Sequence, residues 1–526
     1  MNAPESSNNT MINALMDPGR YDHAVDDLQL IETHISWVIL TGDYVYKIKK
    51  PVDFGFLDFS TLEKRHLYCQ EELRLNKRLA PDLYLDVVSI SGTAEQPVLN
   101  GKGSEIEYAV KMQQFPPSSQ LDHVLERDEL RPGQLDAVAR LIANFHQTIA
   151  YADMDSTYGD AEHVYQPVQE NMIQIRQNIP DENYLGLLAD LEQWSETSFT
   201  KLKPIFEQRK AHGFVRECHG DMHLSNLAWY RGAPLVFDCI EFNPNLYWID
   251  VINDVAFLVM DLQVRQQAPL AYRFLNAYLE STGDYPGVTV LRFYLLYRAM
   301  VLAKVNAIRA SQTENNPEQL RQLEESFKDY MQLGESYICE SKPCLIITHG
   351  VSGSGKSTVT GQLLEHMGAI RIRSDVERKR LFNIKPEENV EAGHSEGIYS
   401  AEATQSTYER LTELADNIIK AGYTVIIDAA FLQFEQREQF RKFAVDKDVP
   451  FIIVEFTTAI ETLRRRIQDR QNDVSDANLA ILEKQFSTCE SLRSDERDNA
   501  MMVDTESDVD IQSLVEQIDR ICLTDS

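Results

Sequence analysis

The pattern of apolar and polar positions changes character twice along the chain. From about residue 30 to 115 it is mixed. ISWVIL and YVYKIK are β-rich runs separated by Thr41-Gly42-Asp43, which predicts a hairpin. The charged stretch LEKRHLYCQEELRLNKRLA reads as a helix stopped by Pro81, and VLNG and IEYAVKM read as further strands. From about 120 to 335 the pattern is mainly helical. VARLIANFHQ, YLGLLADLEQWSE and FYLLYRAMVLAKVNAIRAS carry apolar residues at helical spacing, and QTENNPEQL is a polar break. A short β-loop-β island, VRECHGDMHLSNLAWYRGAPLVFDCIEF, interrupts the helices. Past a boundary near Glu340-Ser341-Lys342-Pro343, strand and helix alternate. CLIITHG, AIRIRSD, TVIIDAAF, PFIIVEFTT and AMMVDT are near-continuous apolar runs, as expected of strands buried on both faces of a parallel sheet.

Composition narrows this picture. At 526 residues the chain is too long for one ordinary core, so two or more domains are expected. No uncharged apolar run of about 18 residues predicts a membrane span. MNAPESSNNT lacks the basic and apolar regions of a signal peptide and reads as a short disordered tail. The net charge of −31 repels nucleic acid and anionic membrane, so neither is expected as a partner, and it keeps the chain soluble. Cys69, Cys218, Cys239, Cys339, Cys344, Cys489 and Cys522 are scattered and form no CxxC pair. That argues against a disulfide framework or zinc site and for a reducing cytoplasm. Nothing in the pattern fixes an oligomeric state.

Gly350-Val351-Ser352-Gly353-Ser354-Gly355-Lys356-Ser357-Thr358 matches G-x-x-x-x-G-K-[ST] between an apolar strand and the helical VTGQLLEHM. Glycines let backbone N–H groups turn inward around phosphates, and the helix N-terminus adds its positive dipole. In such a loop Lys356 reaches the β- and γ-phosphates and the Ser357 hydroxyl ligates Mg2+, so ATP and Mg2+ are the expected cofactors. Two roles fit Asp375, at the end of the second strand: a base for an attacking hydroxyl, or an N-cap for VERKRLF. Arg378, one turn on, either meets substrate or phosphate or is solvated. Asp428 closes the third strand as a Walker B carboxylate supporting Mg2+. Arg464, Arg465, Arg466 and Arg470 lie in a polar helix with Glu461 and Asp469. They form either a charged face or a lid over ATP, with Arg466 and Arg470 four apart on one side.

Together GVSGSGKST, RIRSD, VIIDAAFL and RRRIQDR…SDA resemble the P-loop kinases that include polynucleotide kinase ends, zeta toxins and gluconate kinase, over about residues 343 to 524. The resemblance implies phosphoryl transfer from ATP to a hydroxyl with Asp375 as base.

The island carries a second constellation, His219-Gly220-Asp221-Met222-His223-Leu224-Ser225-Asn226, with Asp238 in the apolar run that follows. Metal-assisted phosphoryl transfer needs a carboxylate to take the hydroxyl proton, and an amide and a second carboxylate to hold Mg2+. Asp221, Asn226 and Asp238 supply those three roles. The motif resembles the H-G-D-x-H-x-x-N loop of aminoglycoside and choline phosphotransferases, relatives of protein kinases, over about residues 25 to 335. That resemblance implies Lys47 as the strand lysine for the α- and β-phosphates, paired with Glu72 (or Glu71). It also implies Asp250 and Asp254 as support for the catalytic loop, and His146 as a structural residue. Only Thr33-His34-Ile35-Ser36, without glycine, precedes Lys47 where phosphates would be covered.

The whole chain thus resembles bacterial bifunctional fusions of an aminoglycoside phosphotransferase-like domain with a P-loop ATP-binding domain. The expected architecture is mixed α/β and α+β. Residues 1–24 form a tail and short helix. Residues 25–338 form a bilobal kinase-like domain with lobes at about 25–115 and 116–338, and 339–526 form a P-loop domain with a five-stranded parallel sheet. Three functions follow. The chain is a phosphotransferase with two ATP- and Mg2+-dependent sites; or a P-loop kinase or ATPase whose kinase-like lobe senses or recruits substrate; or a non-catalytic ATP-switched module. The acceptor is a hydroxyl on a small alcohol, a sugar, a nucleotide or a protein. If it is cationic, Asp261, Glu280 and Asp284 are candidates to meet it by position. Tyr297 and Arg298 either face it or pack in the core. The stretch from about 382 to 408, with His394 and Tyr399, falls on the acceptor side of the P-loop domain by order.

Overall fold

The computed structural model describes residues 3–55, 57–313, 316–340, 342–385, 388, 397–398, 400–469 and 479–524. It separates into two compact units. The first comprises 1–137, 144–167 and 203–258; the second comprises 138–143, 168–202 and 259–526.

The first unit is built on an antiparallel sheet. Strands β1 (Gln29–Glu32), β2 (Ser36–Leu40), β3 (Tyr44–Lys49), β4 (Tyr84–Gly92), β5 (Pro97–Leu99) and β6 (Glu105–Gln113) lie in the order β1-β2-β3-β6-β4-β5. β2 and β3 form the hairpin expected around Gly42, with Leu40 opposite Val45 and Val38 opposite Lys47. Side chains alternate across a strand, so Ala109 and Val110 of β6 point to opposite faces. On one face the helix Leu62–Asn76, capped by the Thr61 hydroxyl, packs Cys69 against Ala80, Leu83, Tyr84 and Val110. On the other, Met11, Ile12 and Leu15 join Trp37, Ile39, Ile48, Val88 and Ala109. Those three belong to the helix Ala3–Leu15, so the reading of residues 3–10 as part of a disordered tail is corrected. Positions 11, 12 and 15 share one side of a helix, and the sheet supplies the apolar surface that makes the turn persist.

The island holds one hairpin and supplies one strand of a second, longer-range pair. β8 (Leu227–Tyr230) and β9 (Ala233–Val236) are joined by Arg231 and Gly232, both at positive φ, the geometry a two-residue hairpin turn requires. β7 (Val215–Glu217) pairs with β10 (Trp248–Asp250).

The second unit contains the helices Ala268–Thr282, Val288–Gln312 and Pro317–Ile338 and a five-stranded parallel sheet. β11 (Leu345–His349), β12 (Ile370–Arg373), β13 (Val425–Asp428), β14 (Phe451–Thr457) and β15 (Ala500–Asp504) run in the order β12-β13-β11-β14-β15. Every residue of β11 and β13 is buried, the reason these strands read as unbroken apolar runs. The strand followed by the glycine loop is central, so the loop opens at the carboxyl edge of the sheet, where ligands of open α/β sheets bind. Among the described residues no helix is long and apolar enough to cross a membrane.

Candidate functional site

The loop from β11 to the helix Lys356–Met367 is shaped by glycine. Gly350, Gly353 and Gly355 have φ of +155°, +86° and +86°. A Cβ on Gly350 would sit 2.9 Å from Ser354 Oγ and 3.1 Å from Phe456 O. Only glycine permits both the conformation and the close approach. Lys356 Nζ donates to the carbonyls of Gly350 and Val351, 2.9 Å each, so the lysine arches back over its own loop. The amide of Ser352 donates to Gln485 Oε1 at 2.7 Å.

A cleft of about 690 Å³ opens here, lined by Ser352, Gly353, Lys356, Ser357, Thr358 and, across from them, Asp375 and Asp428. Asp428 ends β13, buried, and accepts from Thr360 Oγ1 at 3.4 Å. Asp375 is not the N-cap. The helix Ser374–Leu381 is capped at Arg373, and Asp375 lies in its first turn and lines the cleft. Arg378 is buried and lines the same cleft, its Nη1 donating to Ile398 O at 2.8 Å. The donor set is hydroxyl and carboxylate oxygen, which suits the hard cation Mg2+, and the inward glycine turn suits a polyphosphate.

Arg466 departs from the lid reading. Its guanidinium donates to Gly353 O at 3.3 Å, Thr505 Oγ1 at 3.0 Å and Thr505 O at 2.6 Å. It braces the loop against the end of β15, because two carbonyls and a hydroxyl satisfy its donors locally. Arg470, His394 and Tyr399 lie outside the described residues.

In the first unit the sequence-predicted groups do converge. Lys47 Nζ lies 2.8 Å from Glu72 Oε1 and 2.5 Å from Asp238 Oδ1. Glu71 instead pairs with Arg74. Glu72 is fully buried, and its other oxygen takes Lys49 Nζ at 2.6 Å; Lys49 in turn pairs with buried Glu241. Burial opposes charge on Glu72, but Lys47 and Lys49 outweigh it and hold its pKa down at about 2. Burial likewise opposes the Lys47 ammonium, yet Asp238 and Glu72 raise its pKa well above the ordinary value.

The catalytic-loop motif is held from below. Buried Asp254 accepts the amides of His219 (3.0 Å) and Gly220 (2.9 Å) and lies 3.1 Å from His146 Nε2. Asp250 takes a two-pronged ion pair from buried Arg209, at 2.6 and 2.9 Å. His219 Nε2 lies 2.9 Å from Phe237 O, and Asn226 Nδ2 donates to Asp221 Oδ2 at 3.0 Å. Asp238 sits at φ +63°, its amide donating to the buried Tyr84 hydroxyl at 3.1 Å. Asp221, Asn226 and Asp238 again offer oxygen donors appropriate to Mg2+. Before this site the β1–β2 connection is a closed turn, with Thr33 N donating to Ser36 O at 2.9 Å and Thr33 Oγ1 accepting Ser36 N at 2.9 Å.

The acceptor candidates resolve differently. Asp261 pairs with Arg265, Asp284 caps the turn at Gly287, and Glu280 faces Arg371 and Arg373. Tyr297 and Arg298 are buried in the helix Val288–Gln312. Sequence reasoning missed Lys49, Glu241, Tyr84, Gln485 and Arg373. Lys49 was findable, since two positions from Lys47 in a strand means the same face. The others carry no local signal.

Comparison with known proteins agrees domain by domain. The model of the phosphotransferase enzyme family matches residues 54–294, and that of an AAA domain matches residues 345–492. Uncharacterized proteins of Mycobacterium tuberculosis strain H37Rv and of Mycobacterium bovis are each 28% identical over 462 residues, 87% of this chain and 90% of theirs. Among solved structures, a choline/ethanolamine kinase family protein of Mesorhizobium loti is 9% identical, covering 62% of this chain and 98% of that one, with a TM-score of 0.37. A gluconokinase of Sinorhizobium meliloti is 20% identical, covering 35% and 96%, with a TM-score of 0.26. Along one chain, residues 54–294 thus match a phosphotransferase-family domain and residues 345–492, which hold the P-loop, match an AAA domain.

Proposed function

We propose that this chain is an ATP- and Mg2+-dependent cytoplasmic phosphotransferase that moves a γ-phosphoryl group to a hydroxyl, with the P-loop site as its principal engine. One observation carries the reading: Lys356, Ser357, Asp375 and Asp428 line one cleft at the carboxyl edge of the parallel sheet. The loop amides and Lys356 hold the phosphates. Ser357 and Asp428 are the groups that would hold Mg2+, which when bound offsets the phosphate charge. Asp375 accepts the proton of the acceptor hydroxyl as its oxygen attacks phosphorus. In the kinase-like site, Asp221 takes the same role, Asn226 and Asp238 are the metal-side groups, and Lys47 with Glu72 serves the nucleotide. The test is transfer from γ-labelled ATP to a panel of alcohols, sugars, nucleotides and proteins by the full chain, its Asp375→Asn variant and its Asp221→Asn variant. Two-site catalysis requires each substitution to remove a separable activity; unchanged turnover in both would discard the reading.

A second reading has its own observation. The closed turn at Thr33–Ser36 has no glycine, and Lys47 is already held by Asp238 and Glu72. Both favour a kinase-like lobe that recruits or senses substrate for the P-loop engine. In that case Asp221→Asn leaves all transfer intact while Asp375→Asn abolishes it.

A further inference from the structure

The edge of the P-loop sheet is covered by a helix from the phosphotransferase-family region, within the second unit. β12 is the edge strand. Asn276, on the helix Ala268–Thr282, acts as its missing neighbour: Nδ2 donates to Ala369 O at 2.9 Å, and Oδ1 accepts the Arg371 amide at 2.7 Å. A carboxamide with one donor and one acceptor thus completes backbone groups that an edge strand leaves open. Arg273 of the same helix pairs with Glu365 at 2.7 Å, and Tyr272 packs so closely on Gly368 that a Cβ there would lie 2.8 Å from its ring.

One turn beyond Asn276, Glu280 faces two arginines of β12. Its carboxylate lies 3.5 Å from Arg371 Nη2 and 3.3 Å from Arg373 Nη1, and its carbonyl accepts Arg380 Nη2 at 2.6 Å. Arg373 is also a wall of the nucleotide cleft, and its Nε lies 4.0 Å from Asp428 Oδ2. The guanidinium therefore stands between two carboxylates, one from the helix and one at the proposed metal side. These groups are between a tenth and a quarter exposed or less, so their charges are only partly screened.

We propose that Glu280 is a positioning residue of the P-loop site: by holding Arg373 it keeps that guanidinium from closing on Asp428, and so keeps Asp428 free for the cation that accompanies ATP. The helix Ala268–Thr282 thereby sets the cation requirement of a site in the other family domain. This rests on the P-loop site binding Mg·ATP, as proposed above. Without the Glu280 charge, the pull on Arg373 away from Asp428 weakens, and cation and guanidinium compete for that carboxylate.

The test is calorimetric titration of the full chain with ATP at a series of free Mg2+ concentrations, with Lys356→Ala as the background that isolates the P-loop site. Glu280→Gln is expected to raise the Mg2+ concentration for half-maximal binding about two- to fivefold, the range that one partly exposed ion pair produces. Glu280→Asp should recover part of that shift. Glu365→Gln, which breaks the Arg273 pair on the same helix without touching Arg373, should leave it unchanged. Adding Arg373→Gln to Glu280→Gln should remove the shift. An unchanged Mg2+ half-point in Glu280→Gln, or an equal shift in Glu365→Gln, overturns the proposal while leaving the P-loop reading standing. If the intact chain gives no heat beyond the Lys356→Ala background, the P-loop reading itself falls, and this proposal with it.

Discussion

The two candidate sites solve the same problem with opposite materials. In the kinase-like site, charge is held by charge: Asp238, Lys47, Glu72, Lys49 and Glu241 form a chain of ion pairs, most of it buried. In the P-loop site, the lysine is held by neutral carbonyls of its own loop, and the cradle is backbone. A triphosphate entering the P-loop displaces dipole contacts. Entering the kinase-like site, it must share or break the Lys47–Asp238 pair. Breaking it takes from Lys47 one of its two carboxylate partners, whereas a backbone nest is already organised for an anion. The difference teaches that matching motif residues do not imply equal readiness to bind.

The sharpest way to break this comparison is catalytic. Asp375→Asn should lower transfer by about 10²- to 10⁴-fold with Mg·ATP binding retained, as expected for loss of a general base. Single-turnover kinetics beside calorimetry would check it. An equal loss in Asp221→Asn would put the two sites on a par.

Stability should separate them next. Glu72→Ala takes from Lys47 and Lys49 the buried carboxylate they share, leaving each one acidic partner, and should cost about 3–5 kcal/mol, read as a fall in the denaturation midpoint. Lys356→Ala removes bonds to two loop carbonyls and should move that midpoint less, despite abolishing P-loop nucleotide binding. Arg466→Ala should fall between, at about 1–3 kcal/mol, because it removes a brace between Gly353 and Thr505. If Arg466 were instead a lid, stability would hold and only turnover would drop.

Acid gives the gentlest test. Glu72 and Asp254 have folded-state pKa values lowered to about 2 from ordinary values of 4.5 and 3.8. For a lowered carboxylate the folded state binds fewer protons than the unfolded one. Its contribution is complete above pH 4.5 for Glu72 and 3.8 for Asp254, and is lost as pH falls toward 2. Both groups are in the first unit, so melting followed from pH 6 to pH 2 should show that unit losing stability through this window. Substituting Glu72 by Gln should flatten part of the slope.

Much of this was legible in sequence because it is local. The P-loop needs a strand, a glycine turn and a helix in that order, and all three are adjacent in the chain. The inner strands β11, β13 and β14 announced themselves because burial on both faces leaves little polar alternation, whereas the edge strands β12 and β15 alternate. Asp375 was expected at the end of its strand, but β12 stops at Arg373 and Asp375 falls in the first turn of the helix that follows, a boundary that one or two residues of register decide. The partners of Arg466 were not legible because an arginine helix next to a P-loop looks the same whether its guanidinium faces solvent, ATP or backbone. A short helix was expected within residues 1–24, but not that it starts at Ala3, because Met11, Ile12 and Leu15 are too few to hold a turn without the sheet they cover.

The sequence alone determined which chemistries are present: a glycine cradle with its lysine and hydroxyl, a second set of carboxylates and amide around His219-Gly220-Asp221, and the order in which they occur. Such features depend on backbone conformations and spacings fixed within about ten residues. Tertiary structure alone decided how those groups are partnered. Glu72 became the bridge between two lysines, Arg466 the brace of its own loop, and Glu280 the neighbour of an arginine nearly a hundred residues on. Charged side chains take whichever partner the fold brings within hydrogen-bond reach, and no one-dimensional spacing records that distance.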